Sequence, residues 1–582
     1  MQRYSELTRN LLKKRGITNT EEADVFFNPD YERDLHDPFL MKDMERACVR
    51  LYEAIDNDEK VVIYADYDCD GIPGAVILQD LLKKVGYKNY EVYIPERNSE
   101  GYGLNMTALD ELRDKGVKLV ITIDLGITAV AEVAQAIVYG MDVIITDHHL
   151  PKADLPRAYA ILNPKVDGYP GEMLARRSLG EGGLCGAGVI FKFVQGFIKK
   201  YGELYKIKNG AEKWMLDMAG IATLSDMVPL TGENRAISYF GMKVLRKSPR
   251  PGLQKLLAKL KIDQKYLAED DVGFMIAPRL NAASRMDSPM RAFELLSTDD
   301  VAEAGVLVDH LTKINDERKR IVISIMKDVH KQFEIRKTEE SMKSVIVVGN
   351  PGWKVGVLGL VAGKICDEYG SPVFVWGKDE NDVIKGSCRS NGSVSLVELM
   401  TETKEHFLEF GGHEQAGGFS VDAEKIHFLE EALSLSFLRI TTPSVPSLKR
   451  QGDTDLILDE ERAGGGDFKL SLSDVNMTTW RELDKFTPFG LGNPKPVFLF
   501  EGVKIESIKK FGKGGSGEHL EITFSGNTDT RMHEVKAIAF FSGLDSFKTP
   551  IAEGLPVNLL ATFDLSRFRG RPELRLRVVD II

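Results

Sequence analysis

The 582-residue chain has few cysteines, only Cys48, Cys69, Cys185, Cys366 and Cys388. They are scattered and no two form a CxxC pair. This argues against a structural zinc site and suits a reduced cytosol. No apolar run reaches the ~18 residues of a membrane-spanning helix, so no membrane association is expected. The opening stretch MQRYSELTRNLLKKRG lacks the apolar centre of a signal peptide, and a cytoplasmic protein is expected. No GxxxxGK[ST] occurs, so no Walker-type ATP site is expected. Positive charge is not in excess: 76 Lys and Arg stand against 87 Asp and Glu, for a net charge of −11. That argues against a non-specific nucleic-acid coat but leaves room for a local basic groove. The length allows three or four domains.

What is present centres on Val61–Val76, VVIYADYDCDGIPGAV. A β-branched run ends in three aspartates, Asp66, Asp68 and Asp70, followed by Gly71. The run reads as a buried parallel strand. Alternate carboxylates share one side of an extended chain and repel unless a cation joins them. The competing reading is an Asp-rich loop with a helix cap at Asp70.

From Val61 onward strand and helix alternate. Strands are expected at Val61–Ala65, Tyr90–Ile94, Leu119–Ile123, Val143–Thr146 and Tyr159–Leu162, with helices near Ala75–Val85, Ala108–Lys115 and Ala129–Tyr139. This pattern predicts a parallel α/β sheet whose ligands sit beyond the carboxyl ends of the strands. Those ends carry Asp66, Asp68 and Asp70, then Asp124, then Asp147, His148 and His149. Asp226 follows a helical stretch in LSDMVPL. The count of oxygen and nitrogen donors fits two metal ions better than one, and it suits Mn²⁺ better than Mg²⁺. The bland alternative is that strand ends are commonly polar. Glycine-rich GEGGLCGAGVIFK (180–192) reads either as a phosphate cradle or, preferably, as close packing of a helix onto the sheet.

The Asp147-His148-His149 triplet, with DYDCDG before it and LSDMVPL after it, resembles the DHH phosphoesterase superfamily. Four further segments resemble its bacterial RecJ branch: PERNSEGYGL (95–104), APRLNAASRM (277–286), GSCRS (386–390) and FGGHEQAGGF (410–419). The last is similar to the GGH motif of the DHHA1 domain. The resemblance implies that Asp68 and Asp124 hold one metal. It implies that Asp70, Asp124, His148 and Asp226 hold the other, with Asp124 bridging. Asp66 is an additional candidate ligand, because Tyr64 stands where many members of the superfamily have a histidine. It also implies that His149 faces the scissile phosphate as a donor; the alternative is a histidine that only supports the ligands. Arg97, Arg279, Ser387 and Arg389 would grip the terminal 5′-phosphate and nearby backbone, and His413 the nucleotide near the metals. Arg285 reads equally as a structural ion pair. Cys388 replaces a common glycine in GSCRS, a segment expected to be a turn.

The charge-rich stretch from Asp299 to Lys337 has a 3–4 apolar spacing and predicts a long helix. A second α/β unit follows, with strands at Ser344–Gly349 and Pro372–Trp376 flanking a helix. After Leu448, short β-type runs at Val497–Phe500, Leu520–Phe524, Val535–Phe541, Val557–Thr562 and Leu574–Val579 suggest an OB-like barrel. Candidate nucleic-acid contacts there are Lys509, Lys510, Arg567, Arg569 and Arg571, with Arg575 and Arg577 on a last strand. The expected fold is therefore α/β, with an N-terminal helical segment (1–50), a parallel-sheet DHH domain (51–298) and a linking helix (299–337). A smaller DHHA1 domain (338–445) and the barrel (446–582) complete it.

The resemblance implies a 5′→3′ exonuclease on single-stranded DNA, acting in repair and recombination. It would use two Mn²⁺ or Mg²⁺ ions and release 5′-mononucleotides. A pocket for the terminal phosphate would set the direction, and a narrow cleft would exclude duplex. Duplex would need unwinding by another protein, which makes a helicase and a single-strand-binding protein candidate partners. A monomer is expected. Two alternatives remain: a phosphoesterase of short oligonucleotides or cyclic dinucleotides, and an inactive replication scaffold.

Overall fold

A computed structural model describes the chain except residues 98, 171–182, 337–343, 442–467, 513–518, 529–530, 541, 548 and 568–571; side chains at 167, 527–528, 531–533 and 545 are also left out. The chain divides into two units, Met1–Leu35 with Pro229–Tyr239 and Lys449–Ile582, and His36–Val228 with Phe240–Leu448.

The second unit holds two sheets. The first comprises β1 (Val61–Ala65), β2 (Tyr90–Tyr93), β3 (Leu119–Ile123), β4 (Asp142–Thr146) and β5 (Ala160–Leu162). All pairings are parallel and the order is β2-β1-β3-β4-β5. β1 and β3 are buried along their whole length, as their unbroken apolar runs require. The winding reverses between β1 and β3, which opens a crevice at their carboxyl ends. The expected strands match within a residue or so. The first helix, Gly71–Val85, begins four residues before Ala75.

One 36-residue helix, Val301–Arg336, runs through this unit. Its first half packs on helices Pro251–Leu260, Ala277–Met286 and Met290–Ser297. Its second half sends Val322, Ile325, Val329 and Phe333 into the core around Leu358 and Val361. The second sheet comprises β6 (Ile346–Gly349), β7 (Val373–Lys378), β8 (Ile384–Arg389), β9 (Glu409–Gly412) and β10 (Ala416–Val421), in the order β6-β7-β8-β10-β9. The GSCRS segment is thus not a turn. It lies mostly in β8, paired to β7 and β10. The period of two puts Ser387 and Arg389 on one face and buried Cys388 on the other, against Gly417. Cysteine in place of glycine therefore leaves the arginine face unchanged.

The first unit is built on β11 (Phe468–Lys469), β12 (Phe498–Phe511), β13 (His519–Thr528), β14 (Arg531–Ala539), β15 (Pro556–Ser566) and β16 (Glu573–Ile581). The order β12-β13-β14-β16-β15 closes through a β15–β12 pairing, with β14 and β16 parallel. This is a closed five-stranded OB barrel. The strands are longer than the expected runs, because polar residues such as Lys509, Lys510 and Glu521 also join the ladders. N-terminal Leu11, Leu12 and Ala23 share that core with Phe486, Phe498 and Phe500. The helix Thr20–Phe27 is capped by Asn19, which accepts from Glu22 N.

Candidate active site

The loop after β1 is built around carboxylates that hold backbone amides. Asp68 Oδ1 accepts from Asp70 N at 2.7 Å and Gly71 N at 3.2 Å, and so starts the helix Gly71–Val85. Asp70 does not cap that helix, contrary to the alternative reading of the loop. Its carboxylate instead accepts from Gly186 N at 2.6 Å and Ala187 N at 2.7 Å. These amides open the helix Gly186–Tyr201, whose N-terminal dipole favours the negative charge. A Cβ at Gly186 would lie 2.5 Å from Asp124 Cβ. The glycine-rich turn therefore serves close approach, as its packing reading expected; residues 180–182 lie outside the described residues.

Asp124 follows β3 at a φ of 62°, a left-handed conformation that aspartate tolerates better than most residues. Its Oδ1 is 3.1 Å from His148 Nε2. The same His148 atom is 3.8 Å from Asp70 Oδ2 and 3.8 Å from Asp226 Oδ2. Three groups of potential ligand atoms lie within 4.8 Å of one another: Asp66, Asp68 and Asp124; Asp70, His148 and Asp226; and Asp124, His148 and His149. Oδ1 of Asp66 and Oδ1 of Asp124 are buried without a hydrogen-bond partner. Tyr64 stays out of the cluster, since its hydroxyl donates to Gly103 O at 3.1 Å and accepts from Asn105.

The electrostatics follow from this crowding. Burial, then the charge of Asp68, raises Asp66 well above the usual carboxylate range and brings Asp70 to about 7. Asp124 and Asp226 are raised by burial and then by Asp70. Burial, then His149, lowers His148 to about 3, so its imidazole is neutral. Such a donor set fits divalent cations: buried carboxylates that cannot all ionise alone, two orphaned oxygens and a neutral imidazole.

His149 behaves differently. Its Nδ1 lies 2.7 Å from Asp147 Oδ1. Burial, the largest single influence, would lower its pKa, but the hydrogen bond and charge of Asp147, together with the charges of Asp66 and Asp70, raise it. Asp147 also accepts from the amides of Ile127, His148 and His149. Burial, the largest influence, would raise its carboxyl, but the hydrogen bond and charge of His149, the charge of His148 and the Ile127 amide together hold it below the usual range. It is the anchor of the histidine pair, a role its place in the triplet does not reveal. Tyr102 lies edge-on to His149, with its hydroxyl 3.2 Å from Asp124 O. His413, in the β9–β10 hairpin, stacks on His149 at 5.7 Å and 11°.

A cationic cluster adjoins the acids. Arg97 lies 4.9 Å over the Tyr67 ring. Burial and then Arg97, Arg318 and Arg389 lower Arg285 to about 9. No carboxylate pairs with Arg285 among the described residues, and its one hydrogen bond is to Gly356 O at 3.4 Å, so it is not a structural ion pair. Arg389 and Ser387 both face Gly359, at 3.1 Å and 3.6 Å from where its Cβ would be. The structure thus groups Arg285, not Arg279, with Arg97 and Arg389; Arg279 neighbours Arg318 and Lys319 instead. Six residues apart on one helix, Arg279 and Arg285 point about 120° apart, a signal the sequence did contain. Arg318 had none, being one charge among many on a solvated helix.

In the barrel unit, Lys509 and Lys510 pair across from Glu521 and Leu520 and are exposed, as is Arg567. Arg569 and Arg571 lie outside the described residues. Arg575 and Arg577 do not form a free basic face: Arg575 pairs with Asp564 at 2.7 Å, and Arg577 lies 5.3 Å over Phe540.

Family models match in chain order: the DHH family N-terminal domain at residues 60–223, the DHHA1 domain at 342–436 and the RecJ OB domain at 466–580. The chain is 33% identical to the single-stranded-DNA-specific exonuclease RecJ of Bacillus subtilis, over 99% of this chain and 67% of that protein. It is 29% identical to the Haemophilus influenzae RecJ, over 99% of this chain and 96% of that one. The crystal structure of Thermus thermophilus RecJ in complex with Mn²⁺ superposes with a TM-score of 0.73 at 26% identity, covering 99% of this chain and 75% of that one. With the DHH, DHHA1 and OB modules in this order and this likeness along the whole length, the chain belongs to the RecJ family of single-stranded-DNA-specific exonucleases.

Proposed function

We infer that this chain is a metal-dependent exonuclease that hydrolyses single-stranded DNA from its 5′ end, releasing 5′-mononucleotides in repair and recombination. The observation that carries this reading is Asp124, which stands between Asp66 and Asp68 on one side and His148, with Asp70 and Asp226, on the other. Asp66, Asp68 and Asp124 would hold one Mn²⁺ or Mg²⁺ ion, and Asp70, Asp124, His148 and Asp226 the other. When bound, such ions activate water and neutralise charge on the phosphoryl oxygens.

The chain's own groups supply the rest. His148 is neutral and presents Nε2 as a lone pair. Asp147 accepts from Nδ1–H of His149 and favours the imidazolium, in which Nε2–H donates to a phosphoryl oxygen. Arg97, Arg285, Arg389 and Ser387 bind the terminal 5′-phosphate, and His413 packs beside the first nucleotide. Binding the end at a fixed distance from the acids sets the polarity. Lys509, Lys510 and Arg567 on the barrel add contacts to the strand backbone, and these weaken in salt.

The reading includes the domain limits 51–298, 299–337, 338–445 and 446–582, a cytoplasmic monomer, and strands supplied by a helicase and kept single by a binding protein. Among the described residues, no helix is long and apolar enough to cross a membrane.

The test uses Mn²⁺ with end-labelled single strands, duplexes and dinucleotides. Mononucleotides from the 5′ end of long single strands are expected. Cleavage of the short substrates alone would point to a small-molecule phosphoesterase, and no cleavage to a scaffold. Arg389→Ala should lose the preference for a 5′-phosphate over a 5′-hydroxyl; full retention would remove Arg389 from the pocket.

A further inference from the structure

The outer face of the barrel carries a row of rings that the core does not use. On β13, Leu520, Ile522 and Phe524 are fully buried in the core, so the alternate residues His519, Glu521 and Thr523 point outward. The same register places Phe511 of β12 directly across from His519. On the other side, Phe540 follows Ala539, the partner of Leu520 on β14, and so falls beside His519 as well. The three rings make an unbroken row across β12, β13 and the end of β14. Their centroids are 5.3 Å apart from Phe511 to His519 and 5.7 Å apart from His519 to Phe540. β16 extends the row: Leu576 faces the core and Arg577 faces out, 5.3 Å over the Phe540 ring.

Phe511 is 44% exposed and Phe540 37%. A single exposed ring is ordinary, but a contiguous apolar row edged by charge marks a contact surface. The neighbouring register row is Lys509, Glu521, Ile538 and Arg577, cationic at both ends with one acid between. Flat rings, a guanidinium over one of them and a cationic edge suit a planar ligand joined to phosphates, which describes the bases of a nucleic-acid strand. An apolar protein surface would leave the arginine and the lysine unmatched. The place agrees. In a closed barrel of this strand order, ligands bind on the outer face of the second and third strands, here β13 and β14.

We propose that Phe511, His519, Phe540 and Arg577 form a base-stacking platform that selects single strands. The inference rests on the single-strand reading given above, and it adds a base contact to the backbone contacts assigned there. A base can lie on this row only when it is free of its complement. In a duplex both faces of each base are covered by stacking and its edge is paired, so the platform meets backbone alone. Discrimination against duplex therefore resides in the barrel as well as in a narrow cleft. Every base has a π-face, so the platform tolerates any sequence. Stacking releases no counterion, so its share of the affinity persists in salt, unlike that of Lys509 and Lys510.

The experiment measures binding to the full chain in chelator, by anisotropy of a labelled single strand, the same sequence as duplex, and an abasic strand of equal length. Phe540→Ala should weaken the single strand about tenfold and leave the duplex and the abasic strand within about twofold. The preference for single strand over duplex should fall by the same factor. Phe511→Ala should act likewise. Both rings are more than a third exposed, and melting curves check that each variant is folded. The salt slope of single-strand binding should stay unchanged in both. Equal losses on the base-bearing and abasic strands would overturn the platform. So would single-strand affinity kept within about twofold in both variants, a result that would give the rings to an apolar protein partner. A chain that shows the base-dependent loss but cleaves no DNA in Mn²⁺ would sink the exonuclease reading and leave the platform standing.

Discussion

Asp124 is held at a φ of 62° with one carboxylate oxygen unpartnered, among acids that burial and mutual repulsion push toward the neutral form. A left-handed non-glycine residue costs about 1–2 kcal/mol, so this position is maintained against its own stability. Asp124→Asn should therefore raise the melting temperature of metal-free protein by a few degrees while lowering Mn²⁺-dependent hydrolysis about a thousandfold. The pH dependence has a definite sign. Asp70 titrates at about 7 in the folded chain and about 4 unfolded, so between these values the folded state binds more protons. Metal-free protein should lose stability as pH rises from 5 to 8, seen as a falling melting temperature. A flat profile would mean the cluster is not as crowded as its geometry implies. Asp147→Asn tests the other histidine. It should lower activity about 10–100-fold. It should also shift the alkaline limb of the pH–rate profile downward, because Asp147 is what raises His149. A uniform drop with an unmoved profile would reduce Asp147 to a packing role.

At the level of elements, two glycines let backbone segments approach. Gly186 lets the helix Gly186–Tyr201 reach Asp124, and Gly412, at a φ of 142°, turns the β9–β10 hairpin where a Cβ would meet Ala416 O at 2.4 Å. Gly186→Ala should fold but bind Mn²⁺ weakly, read by titration of the metal. Gly412→Ala should keep metal affinity and lose turnover, because the hairpin carries His413 onto His149. Strands and helices were legible in the sequence because the switch from apolar runs to a 3–4 spacing is local. Burial on both faces left β1 and β3 no alternation, so their length and their polar ends identified them. GSCRS misled because its glycine and serines look like a turn. Pairing to strands on both sides makes it the centre of a sheet.

For the whole molecule, the core shared by Leu11, Leu12 and Ala23 with the barrel makes residues 1–35 part of the C-terminal unit. Truncation after residue 441 should therefore expose that core, giving aggregation and rapid proteolysis of the N-terminal helices. A well-behaved truncated protein would contradict the shared core. The sequence by itself determined the order of the modules, the acids at the strand ends and the histidine pair, because each lies within a few residues of a strong periodic signal. Tertiary structure decided what depends on residues far apart in the chain. It placed Asp70 under the amides of Gly186 and Ala187, and it tied Tyr64 to Gly103. It also drew Arg285 beside Arg97 and Arg389, and closed the β15–β12 seam of the barrel. Each of these is set by which faces meet when elements pack, and side chains at the meeting point carry no mark of their partners in the linear sequence.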